Sequence, residues 1–182
     1  DPFLNKKMAV PLIVGLQDND IMACVKHFAA NNQETNRDFV DVQIDERTLR
    51  EIYLPAFEAA VKEANAYSIM GAYNKFRGDY LCENDYMLNT ILRDEWGFKG
   101  VVVSDWAAVH STVKTLKNGL DIEMGTPKPF NEFFLADKLI AAAKAGEISE
   151  AEIDKHVKRI LNVLFQVKAM GTEQKNRVKG SI

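Results

Sequence analysis

The stretch Gly100–His110, GVVVSDWAAVH, runs three consecutive valines straight into a serine, an aspartate and a tryptophan. A glycine followed by β-branched residues reads as a strand buried on both faces. A charge at the end of such a strand needs water or a partner, because an unpaired carboxylate in the interior is costly. Asp105 therefore has two readings. Either it caps a helix beginning at Ala107, accepting backbone N–H groups, or it is a carboxylate held ready to attack an electrophilic carbon.

The same layout recurs on both sides of this stretch. Ile21–Ala30 (IMACVKHFAA) reads as a strand leading into a polar loop, and Tyr67–Tyr73 (YSIMGAY) as another. Between them the spacing predicts a helix from Asp45 to Ala64, with Asp45 as N-cap, Leu49, Ile52, Tyr53, Ala56, Phe57, Ala60 and Val61 on one stripe, and a kink at Pro55. A second helix covers Asn84–Trp96, and Gly97 and Gly100 bracket the turn into the valine strand. A third covers Ala107–Asn118 and stops at Gly119, after which GLDIEMG gives a fourth strand. Phe133–Gly146 is the next helix, and Ser149 with Glu152 forms a capping box for a last one reaching about Met170.

Alternating strands and helices imply βαβ units on a parallel sheet. No GxGxxG or Walker loop follows a strand, so a nucleotide-binding doubly wound fold is not indicated. Polar residues instead collect where three of the strands end: Lys26 and His27, Tyr73 and Asn74, and Ser104 to Trp106. That is the face on which (β/α)8 barrels keep their chemistry. Four strand signals are half of eight, and a typical barrel needs about 250 residues. The expected fold is thus α/β, of the (β/α)8 TIM-barrel type, with residues 1–170 forming the later, C-terminal part of the barrel and 171–182 a linker.

The bulk composition narrows the partners. Of 182 residues 47% are hydrophobic and 27% charged, an ordinary globular balance. The net charge of −3 comes from 23 basic and 26 acidic residues mixed along the chain, so no electrostatic footprint for nucleic acid stands out. No apolar run approaches the roughly 20 residues that cross a bilayer, and no membrane partner is expected. Cys24 and Cys82, read as lying in a buried strand and a loop, have no metal-ligand spacing and are expected as free thiols, which leaves the compartment open. No metal or organic cofactor is expected.

Several polar groups at the strand ends have competing uses. Adjacent strand residues face opposite ways, so Lys26 and His27 share one mouth only if the strand is ending there. Lys26 is a rim ion pair, a Schiff-base lysine whose reactivity requires burial, or a donor to hydroxyls. Asn31, Asn32, Glu34 and Arg37 form a hydrated turn or a multi-donor loop suited to vicinal hydroxyls. Trp106 beside Asp105 can stack on the apolar face of a sugar ring, whereas Trp96 is expected in the core. His110 and His156 fall inside expected helices.

The combination KHFAANNQETNR (Lys26–Arg37), IMGAYNKFRGDYLCEN (Ile69–Asn84), ILRDEWGFKGVVVSDW (Ile91–Trp106) and GLDIEM (Gly119–Met124) resembles the β-glucosidase branch of glycoside hydrolase family 3. The resemblance implies that Asp105 is the nucleophile of a retaining β-glycosidase, that Lys26, His27, Arg37 and Tyr73 bind hydroxyls of the terminal sugar, and that Met70 and Trp106 line the same subsite. It also implies barrel strands upstream and, downstream, an α/β sandwich domain carrying the acid/base glutamate. Glu34, Glu83 and Glu123 are acids only by default. The N-acetylglucosaminidase branch carries a KHFPGHG-type loop; KHFAANN here points away from it. The expected substrates are β-linked glucosides or oligosaccharides, with xylosidase specificity, a non-catalytic sugar-binding or assembly module and an aldolase-like Lys26 as the alternatives. Unpaired strand edges lead to the expectation that the chain associates with the rest of the enzyme or with itself.

Overall fold

A computed structural model describes residues 1–125 and 128–171. The chain opens with helix α1 (Pro2–Gln17), capped by Asp1, whose carboxylate accepts the Leu4 amide at 3.0 Å. The sequence reading places no element before Ile21. The reason is physical: Phe3, Leu4, Met8 and Leu12 are all exposed and only Ile13 is buried, so the helix has no apolar stripe, and Pro11 interrupts its interior.

Strand β1 (Cys24–Phe28) follows, and a two-residue strand β2 (Asp41–Val42) comes after the polar loop. The helix expected over Asp45–Ala64 is divided. Asp45 caps α2 (Glu46–Thr48), accepting the Thr48 amide at 2.9 Å; a wide π-type turn spans Leu49–Tyr53, and α3 (Pro55–Lys62) restarts at the proline. Pro55 has no N–H to continue the ladder, so the break falls where the kink is expected.

Strand β3 (Ser68–Gly71) leads into a hairpin of β4 (Lys75–Phe76) and β5 (Asp79–Tyr80). Its turn, Arg77–Gly78, has positive φ at both positions, 51° and 97°. That twist matches the strands of a two-residue hairpin, and Arg77 is held there by donating to the Ile44 carbonyl and pairing with Glu46. A π-type helix over Tyr86–Glu95 then runs to Trp96 and Gly97, and β6 is Val101–Ser104.

The main sheet is parallel, in the order β1-β3-β6, with Ser68 in register with Val101 and Gly71 with Ser104. A second small sheet joins β2 in parallel to β4, and β4 antiparallel to β5. Two-residue strands carry no period, so nothing in the sequence pattern announces this sheet. Gly100 precedes β6 because a Cβ there would sit 2.3 Å from the Tyr67 carbonyl oxygen.

Two expectations for the later chain change. The helix expected over Ala107–Asn118 is only α4 (Val113–Lys117), because Ala107 turns at φ 60° and Ala108 and Val109 fold into the core. Gly119 does end it, at φ 104°. The fourth strand is reduced to a single parallel bridge between Val103 and Ile122. Here the Asp121 carboxylate accepts the Val102 amide at 2.8 Å, and so takes a donor that a regular neighbour would use. Asp121 is fully buried and held further by Arg93 (2.8 Å), His156 (2.8 Å) and Arg159 (2.7 Å). Burial opposes its ionisation, but these partners outweigh that and hold its pKa below the ordinary carboxylate value.

The remaining helices are α5 (Asp137–Lys144) and α6 (Glu150–Gln166), the latter opened by the Ser149–Glu152 capping box. The core centres on Phe28, Leu49, Ile69, Phe76, Leu88, Ile91 and Val102, with Trp96 packed edge-to-face on Phe28 at 6.0 Å. Both cysteines are free: Cys82 is buried as a small apolar group, with its pKa pushed up to about 12 by burial, whereas Cys24 is exposed, contrary to the buried-strand expectation. The last segment, 172–182, where the linker is expected, lies outside the described residues.

Candidate active site

Asp105 follows the last residue of β6 and is 6% exposed. Its own chain supplies the first donor: the Trp106 amide reaches Oδ1 at 2.8 Å. Tyr73, two residues beyond β3, donates its hydroxyl to the same oxygen at 3.1 Å. From β1, His27 places Nε2 3.1 Å from Oδ2. No helix starts at Ala107, the next one being α4 from Val113, so the capping reading of Asp105 is replaced by a carboxylate gripped from all three strands.

The second layer fixes those partners. The Arg37 guanidinium lies over the Tyr73 ring at 4.6 Å, and Arg37 itself pairs with Glu34 at 2.8 Å. Tyr73 is pushed up to about 12, first by burial and then by the Asp105 carboxylate it faces. It is therefore a protonated donor throughout the ordinary pH range. Asn74, fully buried, donates to the Ala29 carbonyl at 3.3 Å and ties the end of β3 to the loop after His27. Ser104 accepts the Met124 amide at 2.8 Å, which anchors the residue before the carboxylate.

Lys26 and His27 share no regular alternation, because the β1–β3 register shifts between Val25 and Phe28. Lys26 is exposed, and among the described residues its ammonium has no ion-pair or hydrogen-bond partner. Exposure removes the burial that the Schiff-base reading requires. Met70 is buried in β3 in register with Val103, and is not among the groups bonded to Asp105. Trp106 is 57% exposed beside the carboxylate, whereas Trp96 is in the core. A cavity of about 560 Å³ has Lys26, His27, Asn31 and Asn32 in its wall but not Asp105, Tyr73 or Arg37. It lies beside β1.

The three default acids are engaged elsewhere. Glu83 is buried and accepts the His110 amide at 2.9 Å and the Thr115 hydroxyl at 3.2 Å. Glu123 accepts the Leu135 amide at 2.7 Å, with burial pushing its pKa up, and Glu34 pairs with Arg37. Among the described residues no group of three or more His, Cys, Asp or Glu is arranged to hold a metal ion.

The sequence reading did not identify Glu83 as the pin of the loop after β6, nor Asp121 as the charge at the centre of a buried cluster. A signal existed for each: Glu83 follows the apolar pair Leu81–Cys82, and Asp121 stands between Leu120 and Ile122.

Comparison with known proteins follows the same line. Residues 1–163 match the family model of the glycosyl hydrolase family 3 N terminal domain. Thermostable beta-glucosidase B of Acetivibrio thermocellus is 47% identical over 165 residues, covering 91% of this chain and 21% of that protein. An exo-alpha-(1->6)-L-arabinopyranosidase of Bifidobacterium breve is 39% identical over 169 residues, covering 93% of this chain and 22% of its own length. Among solved structures, beta-glucosidase D2-BGL from Chaetomella raphigera superposes with a TM-score of 0.88 at 43% identity, over 96% of this chain and 24% of that one. Beta-glucosidase 3B from Thermotoga neapolitana in complex with alpha-D-glucose gives 0.84 at 44% identity, over 91% and 24%. The chain thus spans about a fifth to a quarter of the length of the relatives it matches.

Proposed function

This chain belongs to glycosyl hydrolase family 3, and we propose that it supplies the nucleophile side of a retaining β-glucosidase active site, with Asp105 as the nucleophile. The observation that carries the reading is the grip on that one carboxylate. Oδ1 accepts two donors, from Trp106 and Tyr73, while Oδ2 faces His27 alone. Oδ2 is therefore the freer oxygen to form a bond with the anomeric carbon of a terminal β-D-glucosyl residue.

In this reading the Asp105–C1 bond forms as the glycosidic C1–O bond breaks, and an acid protonates the departing oxygen. Water then attacks C1, gives its proton to the conjugate base, and releases the sugar with its configuration retained. The acid must lie about 5 Å across the scissile bond from Asp105. With Glu34, Glu83 and Glu123 engaged elsewhere, a carboxyl on another part of the complete enzyme takes that role. Lys26, His27 and Arg37 donate to the sugar hydroxyls, and those donors strengthen as positive charge builds on the ring; Tyr73, whose one proton goes to Asp105, binds a hydroxyl as an acceptor. Met70 and Trp106 line the same subsite.

The parallel β1-β3-β6 order with the 103–122 bridge supports four successive positions of a (β/α)8 barrel, of which residues 1–170 are the later part. The free edge of β1 is then where the earlier strands, or another copy, complete the sheet. β-Linked glucosides are the proposed substrates.

A 2-deoxy-2-fluoro-β-glucoside bearing a good leaving group tests the assignment in the complete enzyme. Peptide mapping is expected to find the fluoroglucosyl adduct on Asp105. An adduct on any other carboxylate, or turnover that survives Asp105→Ala unchanged, overturns it.

A further inference from the structure

Five residues past Asp105, the loop that carries Trp106 ends on a second ring. His110 stacks face to face on Tyr80, with centroids 3.5 Å apart and planes within 16°. Tyr80 closes the β4–β5 hairpin, so the stack joins the loop after β6 to the loop after β3. Both loops leave the same end of the parallel sheet, the end that holds Asp105 and Tyr73. Five extended residues reach at most about 18 Å, and the turn that returns the Ala108 amide to the Asp105 carbonyl at 3.2 Å shortens that path.

The stack is braced. Glu83, almost fully buried, accepts the His110 backbone amide at 2.9 Å, so the ring hangs from a fixed point in the core. Ala108 and Val109, just before it, are themselves buried. The Lys75 ammonium lies 4.8 Å from the centroid of the Tyr80 ring, a cation–π contact that holds the hairpin side of the stack. His110 is nevertheless exposed, and among the described residues its ring nitrogens have no hydrogen-bond partner. A rigid aromatic edge with one unused donor and one unused acceptor is suited to a polyhydroxylated ring, which offers both.

We infer that the His110–Tyr80 stack forms a wall of the leaving-group side of the active site, where it recognises the second sugar of a β-linked disaccharide by hydrogen bonds from the imidazole edge. The inference rests on the glucosidase reading, which assigns Asp105 and Trp106 to the terminal sugar and gives its leaving group no contacts in this chain. Although the residue is exposed at its edge, partial desolvation of the ring holds the His110 pKa below its usual value, with Glu83 opposing, so the ring is a neutral imidazole at neutral pH. Asp38, Lys75 and Lys128 are the other charged groups that act on it. Asp38 also acts on Tyr73, which places the stack and the nucleophile's donor around one loop.

The test compares two substrates in the complete enzyme, a β-linked glucose disaccharide and β-glucosyl fluoride, whose leaving atom is too small to touch the stack. For His110→Ala, the ratio of kcat/KM for the disaccharide to kcat/KM for the fluoride is expected to fall about 5- to 10-fold, the worth of one or two hydrogen bonds. Tyr80→Ala, which removes the support and leaves the imidazole in place, is expected to lower the same ratio in the same direction. Unchanged thermal midpoints exclude misfolding as the cause. A wild-type enzyme active on both substrates whose variants leave the ratio unchanged overturns this inference alone. A wild-type enzyme inert toward both, and unlabelled at Asp105 by the fluoroglucoside, overturns the glucosidase reading and this inference with it.

Discussion

His27 Nε2 lies 3.1 Å from Asp105 Oδ2, although the two residues come from strands that do not pair with each other. β3 runs between them, and its continuation sends Tyr73 to the other oxygen of the same carboxylate. The site is thus a contact across three parallel strands, which a single loop could not hold in this geometry.

Removing the carboxylate is expected to remove turnover. Asp105→Gly in the complete enzyme should lower kcat by at least about 10³-fold, the scale seen when a covalent nucleophile is deleted. Added azide should restore product formation by attacking C1 from the vacated side, giving the glycosyl azide of inverted configuration. Rescue that gives the retained configuration contradicts the role assigned to Asp105.

Tyr73 should ionise unusually late. Its folded pKa, about 12, stands above the unfolded value near 10. The shift therefore stabilises the fold below about pH 10, and that contribution drains away as pH rises toward about 12. Tyrosinate absorbance, compared between wild type and Tyr73→Phe, is expected to show the missing group titrating near the upper value. The same variant loses one donor to Asp105 and should cost about 10- to 100-fold in kcat/KM.

Much of this was legible from residue pattern alone. The apolar runs located β1, β3 and β6, and Asp45, Pro55, Gly119 and the Ser149–Glu152 pair marked helix boundaries that the structure keeps. The polar residues after the strands included those that meet at Asp105. Tertiary contacts hid the rest. Ala107–Val109 look helical, yet Glu83 captures the His110 amide and draws that segment into the core instead. The fourth strand failed because a side chain, Asp121, took the place of a backbone neighbour. Helix α1 was invisible because its apolar residues do not share a face.

The buried Asp121 cluster should be a stability centre rather than a catalytic one. Asp121→Asn leaves Arg93 and Arg159 without their counter-charge and is expected to cost about 3–5 kcal/mol at neutral pH by denaturant unfolding. Because the folded pKa is depressed, the wild-type advantage is present above 3.8 and is lost as pH falls through the lower folded value. The gap between wild type and variant should therefore narrow in strong acid, and a gap that widens there contradicts the assignment.

Gly71 and Cys82 compete for one space. A Cβ on Gly71 would sit 2.7 Å from the Cys82 sulfur, which is itself fully buried. Gly71→Ala alone is expected to destabilise by about 1–3 kcal/mol through overpacking. Cys82→Ala removes the sulfur, so the double variant should recover part of that loss in a mutant cycle. Strictly additive effects would show that the two positions do not share the space.

The two thiols differ in a way that makes the chain its own footprinting reagent. Desolvation raises the pKa of both, but Cys82 is sealed in the core with its pKa near 12, while Cys24 stands exposed at the first residue of β1, on the open border of the parallel sheet. An alkylating dye should therefore mark that border and nothing else. Its reaction rate, fast in a solitary chain and slow once a neighbouring strand or a second molecule lies alongside, converts the covering of that border into a signal readable on a stopwatch.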